Sequence, residues 1–391
     1  MVHCPVGIRS LAVSFPSIIR TNDYYREKYP ELIAQAEQKG LARLFSSAES
    51  TPRNEFELAM MPYLRDPFRG TVERRFLGPS ESSLTLEYRA AKDALDAAKL
   101  SRNDVDLLIV ASFLPEHIGL GNATFLARQL QIQSGAWNLD ATCGSTPVAL
   151  QTACALVQAG AYRNVLVVIS CTYSRFFDED DTLSWFFSDG AGAFVVSSVE
   201  PNQGILGTKA VNTSVLCDQF FFKLTLDKQG NPQIRMQVAK DTNKVIGETA
   251  TGLLRTCCEG AVEKANVTFD QIDFFIFNTP TAWFASFCTR VLGISPERTI
   301  NVSPLYANIG PALTVVNLYH AAHLGKIREN DLVLIYGFGP ASTASASVMR
   351  WGKVALGPAP LNEADLERTK SSSARTLSRN TFGGVGNRDE F

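Results

Sequence analysis

The stretch 138-NLDATCGSTPVALQTACALVQAG-160 decides how the chain is read. A polar turn at Asn138 to Asp140 runs into Cys143, Gly144 and Ser145, after which small and apolar residues settle into helical spacing as far as Gly160. A thiol in that place has two readings. It is a small core filler, since free cysteines are among the most buried residues. Or it is a nucleophile at a helix N-terminus, where unpaired backbone N–H groups and the helix dipole lower the cost of a thiolate. Gly144 and Ser145 keep the turn uncrowded, so a carbonyl carbon can reach the sulfur and backbone donors can receive its oxygen.

Outward from this stretch the chain alternates helix and buried strand. Residues 84-LTLEYRAAKDALDAAKL-100 carry apolar positions at helical spacing and lead to the apolar run 107-LLIVASF-113. Residues 146 to 164 read as a small-residue helix ended by Gly160, and 165-VLVVIS-170 as a strand covered on both faces. In the second half, 248-ETATGLLRTCCEGAVEKANV-267 leads to 273-DFFIFN-278, and 311-PALTVVNLYHAAHLGKI-327 leads to 332-LVLIYGF-338. Helix followed by central strand, twice in each half, predicts an internally duplicated α/β architecture. The expected division is 1–200 for the half holding Cys143, with an insertion near 30–80, then 201–357 for the second half and 358–391 for a polar, mobile tail. Residues 201 to 245 alternate in places and read as strands at an edge or along a channel.

Bulk composition excludes several classes. A chain of 391 residues that is 45% hydrophobic can bury a large core. Its 37 basic and 39 acidic residues, net charge -2, give no field for a polyanion, so nucleic acid is not an expected partner. Eight cysteines without a CxxC pair read as reduced thiols, with neither a disulfide framework nor a zinc site. No stretch supplies the roughly 20 apolar residues of a membrane span, and the first residues lack a basic leader, so the expected location is cytoplasmic.

Four motifs in order, DATCGS around Cys143, 188-SDGAGAFVV-196, 304-PLYANIGPA-312 and 337-GFGPASTASASVMRW-351, resemble the β-ketoacyl-acyl carrier protein synthase III branch of the thiolase superfamily. The resemblance runs from about residue 6 to residue 352 and fits poorly from 30 to 68. It implies a five-layered thiolase-like fold from two duplicated α/β halves, a homodimer, and an acyl thioester of coenzyme A or acyl carrier protein as substrate, with no tightly bound cofactor and no metal. Cys143 would be the acylated nucleophile, Asn308 the family asparagine, and Gly339 part of the glycine-rich loop that helps form the oxyanion hole.

The histidine of the family is missing. Where members read Pro-His-Gln-Ala-Asn, this chain reads 277-FNTPT-281, which puts Asn278 at the position in one register and Thr281 in the other. An amide can donate to a thioester or enolate oxygen, yet neither it nor a threonine hydroxyl can take and return a proton near neutral pH. Asn278 also has a plain reading, as a polar strand terminator in turn chemistry. A substitute base can come from Glu116 or His117 in 111-ASFLPEHIGLGN-122, from the same or the opposite subunit, or that loop is simply solvated. His320 and His323 share a helix face and read as surface residues without a third metal ligand. Arg65, Arg69, Arg74 and Arg75 are available for coenzyme A phosphates, and the aromatic cluster from Tyr173 to Phe187 suits an acyl pocket or an interface. The expected function is acyl-thioester-dependent, ketosynthase III-like condensation through S-acyl Cys143 in lipid or secondary-product metabolism. Transfer to an alcohol or amine without carbon–carbon bond formation, and a non-catalytic partner subunit of a homologous ketosynthase, are the alternatives.

Overall fold

The computed structural model describes residues 5–48, 54–227 and 230–360. The first part of the chain runs β1 (Val6–Ser14), β2 (Ile18–Thr21), α1 (Asn22–Lys28), α2 (Pro30–Ala48), α3 (Glu55–Met60), β3 (Glu73–Phe76), α4 (Ser83–Ala98), β4 (Leu107–Phe113), α5 (Ala123–Leu130), β5 (Gly135–Asn138), α6 (Ser145–Gln158), β6 (Val165–Thr172) and β7 (Asp189–Ser198). The second runs β8 (Gly204–Asn212), β9 (Phe220–Leu226), β10 (Pro232–Val238), α7 (Thr242–Lys264), β11 (Phe274–Phe277), α8 (Phe284–Leu292), α9 (Ser303–Tyr306), α10 (Ala312–His323), β12 (Leu332–Phe338), β13 (Thr343–Arg350) and β14 (Ala355–Leu356).

Two mixed sheets result, one in the order β14-β1-β7-β6-β4-β5 and one in the order β11-β12-β13-β8. β6, β4 and β5 are parallel neighbours, and so are β12 and β11. β7 and β13 run antiparallel to β6 and β12. The same walk, β1-β7-β6-β4 and β8-β13-β12-β11, therefore occurs twice, and a parallel bridge from Phe275 to Thr299 extends the second sheet where β5 extends the first.

α6 and α10 lie between the sheets, α4 covers the outer face of the first and α7 the outer face of the second. That stacking gives the five layers expected of a thiolase-like fold. The burial patterns state the physical reason. α10 is buried at every position from Ala312 to Ala321, because sheets face it on both sides. α4 buries Leu86, Ala90, Ala94 and Ala98 on one stripe while keeping Arg89 and Lys92 outside, since it has a sheet on one side only. Alanines on that stripe let the helix sit close to β1 and β7. The side chain of Ser82 caps its first turn by accepting from the Thr85 amide at 3.2 Å.

The segment between β1 and α4 forms α1 to α3 and a two-stranded ribbon of β2 and β3. α3 packs on α7 and α8 through Phe56, which meets Trp283 edge-on at 4.5 Å between ring centres. β9 and β10 form a separate hairpin. The part of the tail from residue 361 lies outside the described residues. Among the described residues no helix is long and apolar enough to cross a membrane.

Candidate active site

Five of the sequence-derived candidates follow the carboxyl ends of parallel strands, where open α/β sheets present their loops to ligands. Glu116 and His117 follow β4, Cys143 follows β5, Asn278 follows β11 and Gly339 follows β12. Asn308 precedes α10 as Cys143 precedes α6, so the two occupy matching places in the duplicated walk.

The Cys143 turn is tied down by its own polar groups. The Thr142 amide donates to Asp140 Oδ1 at 2.7 Å. Ser145 Oγ donates to the Thr142 carbonyl at 2.7 Å and accepts from the Ala141 amide at 2.9 Å. Thr142 sits at φ +48°, a left-handed conformation that costs a non-glycine residue about 1–3 kcal/mol and persists only where surrounding bonds hold it. Across the turn lies the β12–β13 loop. A methyl group on Gly339 would collide with the Ala141 carbonyl and Thr142 Oγ1, so only glycine permits this approach. The Gly339 amide is not a free donor here, because it donates to the Thr343 carbonyl at 3.0 Å.

Burial opposes ionisation of Cys143. Although the residue keeps partial exposure, the packing around its sulfur is dense, and burial pushes the thiol up to about 11, against the opposing hydrogen bond with Tyr173. α6 starts at Ser145, just after Cys143 as the helical spacing predicts, and burial of the sulfur opposes the thiolate that a helix start favours.

Asn278 and Asn308 meet at Gly310. Asn278, only 1% exposed, donates its Nδ2 to the Gly310 carbonyl at 2.8 Å, while the Gly310 amide donates to Asn308 Oδ1 at 2.8 Å. Gly310 itself, at φ +55°, fits against Cys171 and Tyr173; a methyl group there would lie 2.9 Å from the Cys171 sulfur. Thr146 Oγ1, in the first turn of α6, donates to the Pro311 carbonyl at 2.7 Å and ties the two halves of the site together. Asn278 Oδ1 is buried without a hydrogen-bond partner, and Asn308 Nδ2 has no acceptor among the described residues. It is Asn278 that contacts the 308–310 segment. Thr281 lies three residues on, its carbonyl accepting from the Phe284 amide at the start of α8.

Sequence reasoning missed Tyr173. Its phenol oxygen stands 3.9 Å from Cys143 Sγ, at the end of β6. A single tyrosine at the head of an aromatic run carries no signal of where its hydroxyl points.

The remaining candidates lie in other surroundings. Glu116 is salt-bridged to Arg175 and its amide donates to Asn122 Oδ1 at 3.1 Å. His117 stacks on Phe125 with 3.6 Å between ring centres. His320 is buried and not on the surface: α10 is enclosed on all sides, His320 Nε2 lies 3.1 Å from the Tyr306 hydroxyl, and burial lowers its pKa to about 3. Arg74 and Arg75 are likewise buried and unavailable to a ligand at the surface. Arg74 is enclosed by the Tyr25 and Phe68 rings and donates to the Trp185 carbonyl at 2.6 Å. Arg69 bonds the Tyr63 carbonyl at 3.0 Å, which leaves Arg65 as the exposed member of the group. Among the described residues no group of three or more histidine, cysteine, aspartate or glutamate side chains could hold a metal ion.

The residues brought together are a thiol, a phenol and two amides, with no imidazole among them. Such a set can bind and polarise an acyl carbonyl and donate to a developing oxyanion.

Two family models match the chain, 3-oxoacyl-[acyl-carrier-protein (ACP)] synthase III over residues 137–214 and the C-terminal model of the same synthase over residues 262–351. A β-ketoacyl-[acyl-carrier-protein] synthase III of Chelativorans sp. (strain BNC1) is 29% identical over 286 residues, 72% of this chain and 88% of that protein. The crystal structure of the synthase III from Thermus thermophilus superposes with a TM-score of 0.70 at 25% identity, covering 89% of this chain and 99% of the other. The priming β-ketosynthase of the R1128 polyketide biosynthetic pathway shares the fold, with a TM-score of 0.73 at 18% identity over 90% of this chain and 97% of that one. Both matched models fall on the two halves that build this site, and the chain belongs to the β-ketoacyl-acyl carrier protein synthase III-like branch of the thiolase superfamily.

Proposed function

We propose that this condensing and acyl-transfer enzyme attacks an acyl thioester of coenzyme A or acyl carrier protein with Cys143, holds the acyl group on sulfur, and passes it to a malonyl-type thioester. The observation that carries the reading is the held turn that presents Cys143 at the head of a helix between two sheets, with Tyr173 packed between its sulfur and the Gly310 turn on which Asn278 and Asn308 converge. In the second step the malonyl carboxylate leaves as carbon dioxide, and the electron pair moves into an enolate. That enolate attacks the S-acyl carbonyl and expels Cys143 as thiolate, which solvent reprotonates. Asn308 Nδ2 and the second N–H of Asn278 are the donors available to the enolate oxygen.

A second reading, transfer of the acyl group to an alcohol or amine, is favoured by one observation. We take Asn278, and not Thr281, to stand where the family carries histidine; its Nδ2 donates to the Gly310 carbonyl, and an amide does not shuttle a proton. That reading requires a base, and Glu116 and His117 are the proposed candidates.

We also propose a homodimer. β5 is the edge strand of the first sheet, and Trp137 on it is 38% exposed. Ile118 and Leu120, in the loop pinned to Asn138, are 65% and 69% exposed, so an apolar strand edge lacks cover within one protomer.

The experiment supplies acylated protein with malonyl-coenzyme A, malonyl-acyl carrier protein and a panel of alcohols and amines, following carbon dioxide and product mass together. Carbon dioxide with a β-keto product is the expected result. An ester or amide without carbon dioxide favours transfer, and a loss of that product in Glu116→Gln or His117→Ala would identify its base.

A further inference from the structure

The proposed acylation of Cys143 poses a proton problem that the two asparagines do not solve. Burial favours the protonated thiol at Cys143, and when that sulfur displaces the thiol of an acyl thioester, the S–H proton must reach the departing sulfur. The amides of Asn278 and Asn308 donate hydrogen bonds but do not take up a proton. His320 is enclosed in α10 and His117 is stacked on Phe125.

Tyr173 occupies the place where such a proton would pass. Its hydroxyl is 3.9 Å from Cys143 Sγ, and that sulfur is its one hydrogen-bond partner among the described residues. The ring is 3% exposed and held from several directions. Phe113 meets it edge-on at 5.7 Å, Phe187 lies 4.5 Å away between ring centres, and a methyl group on Gly310 would touch its Cε2 at 3.5 Å. Its backbone is anchored too. The Phe176 amide donates to the Tyr173 carbonyl and the Ser174 amide to the buried carboxylate of Asp189, both at 2.9 Å. The hydroxyl is therefore fixed beside the reacting sulfur without a competing acceptor, in a hydrophobic setting that gives no other reason for a polar tip.

We propose that Tyr173 is a catalytic residue, relaying the Cys143 thiol proton to the leaving thiol during acylation. A hydroxyl both accepts and donates, so the step balances without a net change on tyrosine. As the Cys143 sulfur–acyl carbon bond forms, its S–H proton passes to Tyr173 Oη and the Tyr173 proton passes to the sulfur released by cleavage of the acyl carbon–sulfur bond. Tyrosine ends as it began, and the products are S-acyl Cys143 and a free thiol. In the later step the same hydroxyl donates a hydrogen bond to the expelled Cys143 thiolate. The assignment rests on the S-acyl reading and deepens it.

Tyr173→Phe tests it, because it removes one oxygen and keeps the ring that packs on Phe113 and Phe187. Acylation is followed by intact mass in single-turnover mixing with acetyl-coenzyme A and octanoyl-coenzyme A, from pH 6 to 9, in water and in deuterium oxide. The expected result is a loss of on the order of 10²-fold or more in the acylation rate, the usual scale for a positioned proton-transfer group. The residual rate should rise steeply with pH as hydroxide replaces the relay, and the solvent isotope effect of the wild type should shrink. A thermal melt close to that of the wild type shows that the variant is folded; if it is not, the isotope effect on the wild type decides, and its absence overturns the relay. Acylation of Tyr173→Phe at the wild-type rate also overturns the relay while leaving the S-acyl reading intact. Failure of the wild type to be acylated by any donor overturns both.

Discussion

Replacing Asn278 by alanine separates a catalytic amide from a structural one. In the native protein its Nδ2 satisfies the buried Gly310 carbonyl at 2.8 Å, while its Oδ1 is buried without a partner. Alanine leaves the carbonyl unsatisfied, which costs about 1–3 kcal/mol, and it also removes an unsatisfied oxygen whose burial costs a similar amount. The two effects oppose each other, and a small cavity adds about 1 kcal/mol. The expected loss of stability is therefore about 1 kcal/mol, a shift of only a few degrees in Tm. If the second Nδ2 hydrogen stabilises an oxyanion in the step after acylation, that step should slow by on the order of 10²-fold, about 2.7 kcal/mol. The assay is deacylation of preacylated protein by malonyl-coenzyme A in a single turnover, beside a thermal melt of the same preparation. A near-normal rate with a near-normal melt would refute the catalytic role. A collapse of the melt would show instead that clasping Gly310 is what Asn278 does.

Two further outcomes are expected. Burial pushes the Glu87 carboxyl up to about 7, opposed by hydrogen bonds from Ser170, Asn122 and Ser112, against an ordinary value of 4.5. The folded chain thus keeps a proton that the unfolded chain has shed, and stability falls as pH rises from about 4.5 to 7, by roughly 3 kcal/mol at most. Urea unfolding of Glu87→Gln should show a flatter pH dependence across that window, and an unchanged slope would contradict the assignment. Light scattering should find a dimer for the wild type and a shift to monomer in Trp137→Glu; a wild-type monomer at micromolar concentration would remove the proposed interface.

The elements that build the core were legible because their periodicity is a direct consequence of their surroundings. A strand covered on both faces, such as Val165–Thr172, must be apolar throughout, and a helix over one sheet, such as α4, must carry a stripe. The turn at Cys143 was legible for the same local reason: small residues at a helix start leave room around a sulfur. What escaped depends on contacts distant in sequence. His320 reads as a surface residue until a second sheet is seen to cover α10, and Arg74 reads as a surface cation until Trp185 and Tyr25 enclose it. That the Asn278 side chain reaches Gly310 was not legible, because the contact spans 32 positions. The Tyr173 hydroxyl is the extreme case, since its direction is set by Phe113, Phe187 and Gly310 together and by nothing within its own segment.

The claim on which the rest depends is covalent, and one mass measurement addresses it. Purified protein is incubated with a series of acyl-coenzyme A and acyl-acyl carrier protein donors, and its intact mass is recorded beside that of Cys143→Ala. The wild type is expected to gain the mass of one acyl group from at least one donor, and the variant to gain none. Labelling that persists in Cys143→Ala, or a wild type that stays unlabelled with every donor, would contradict it.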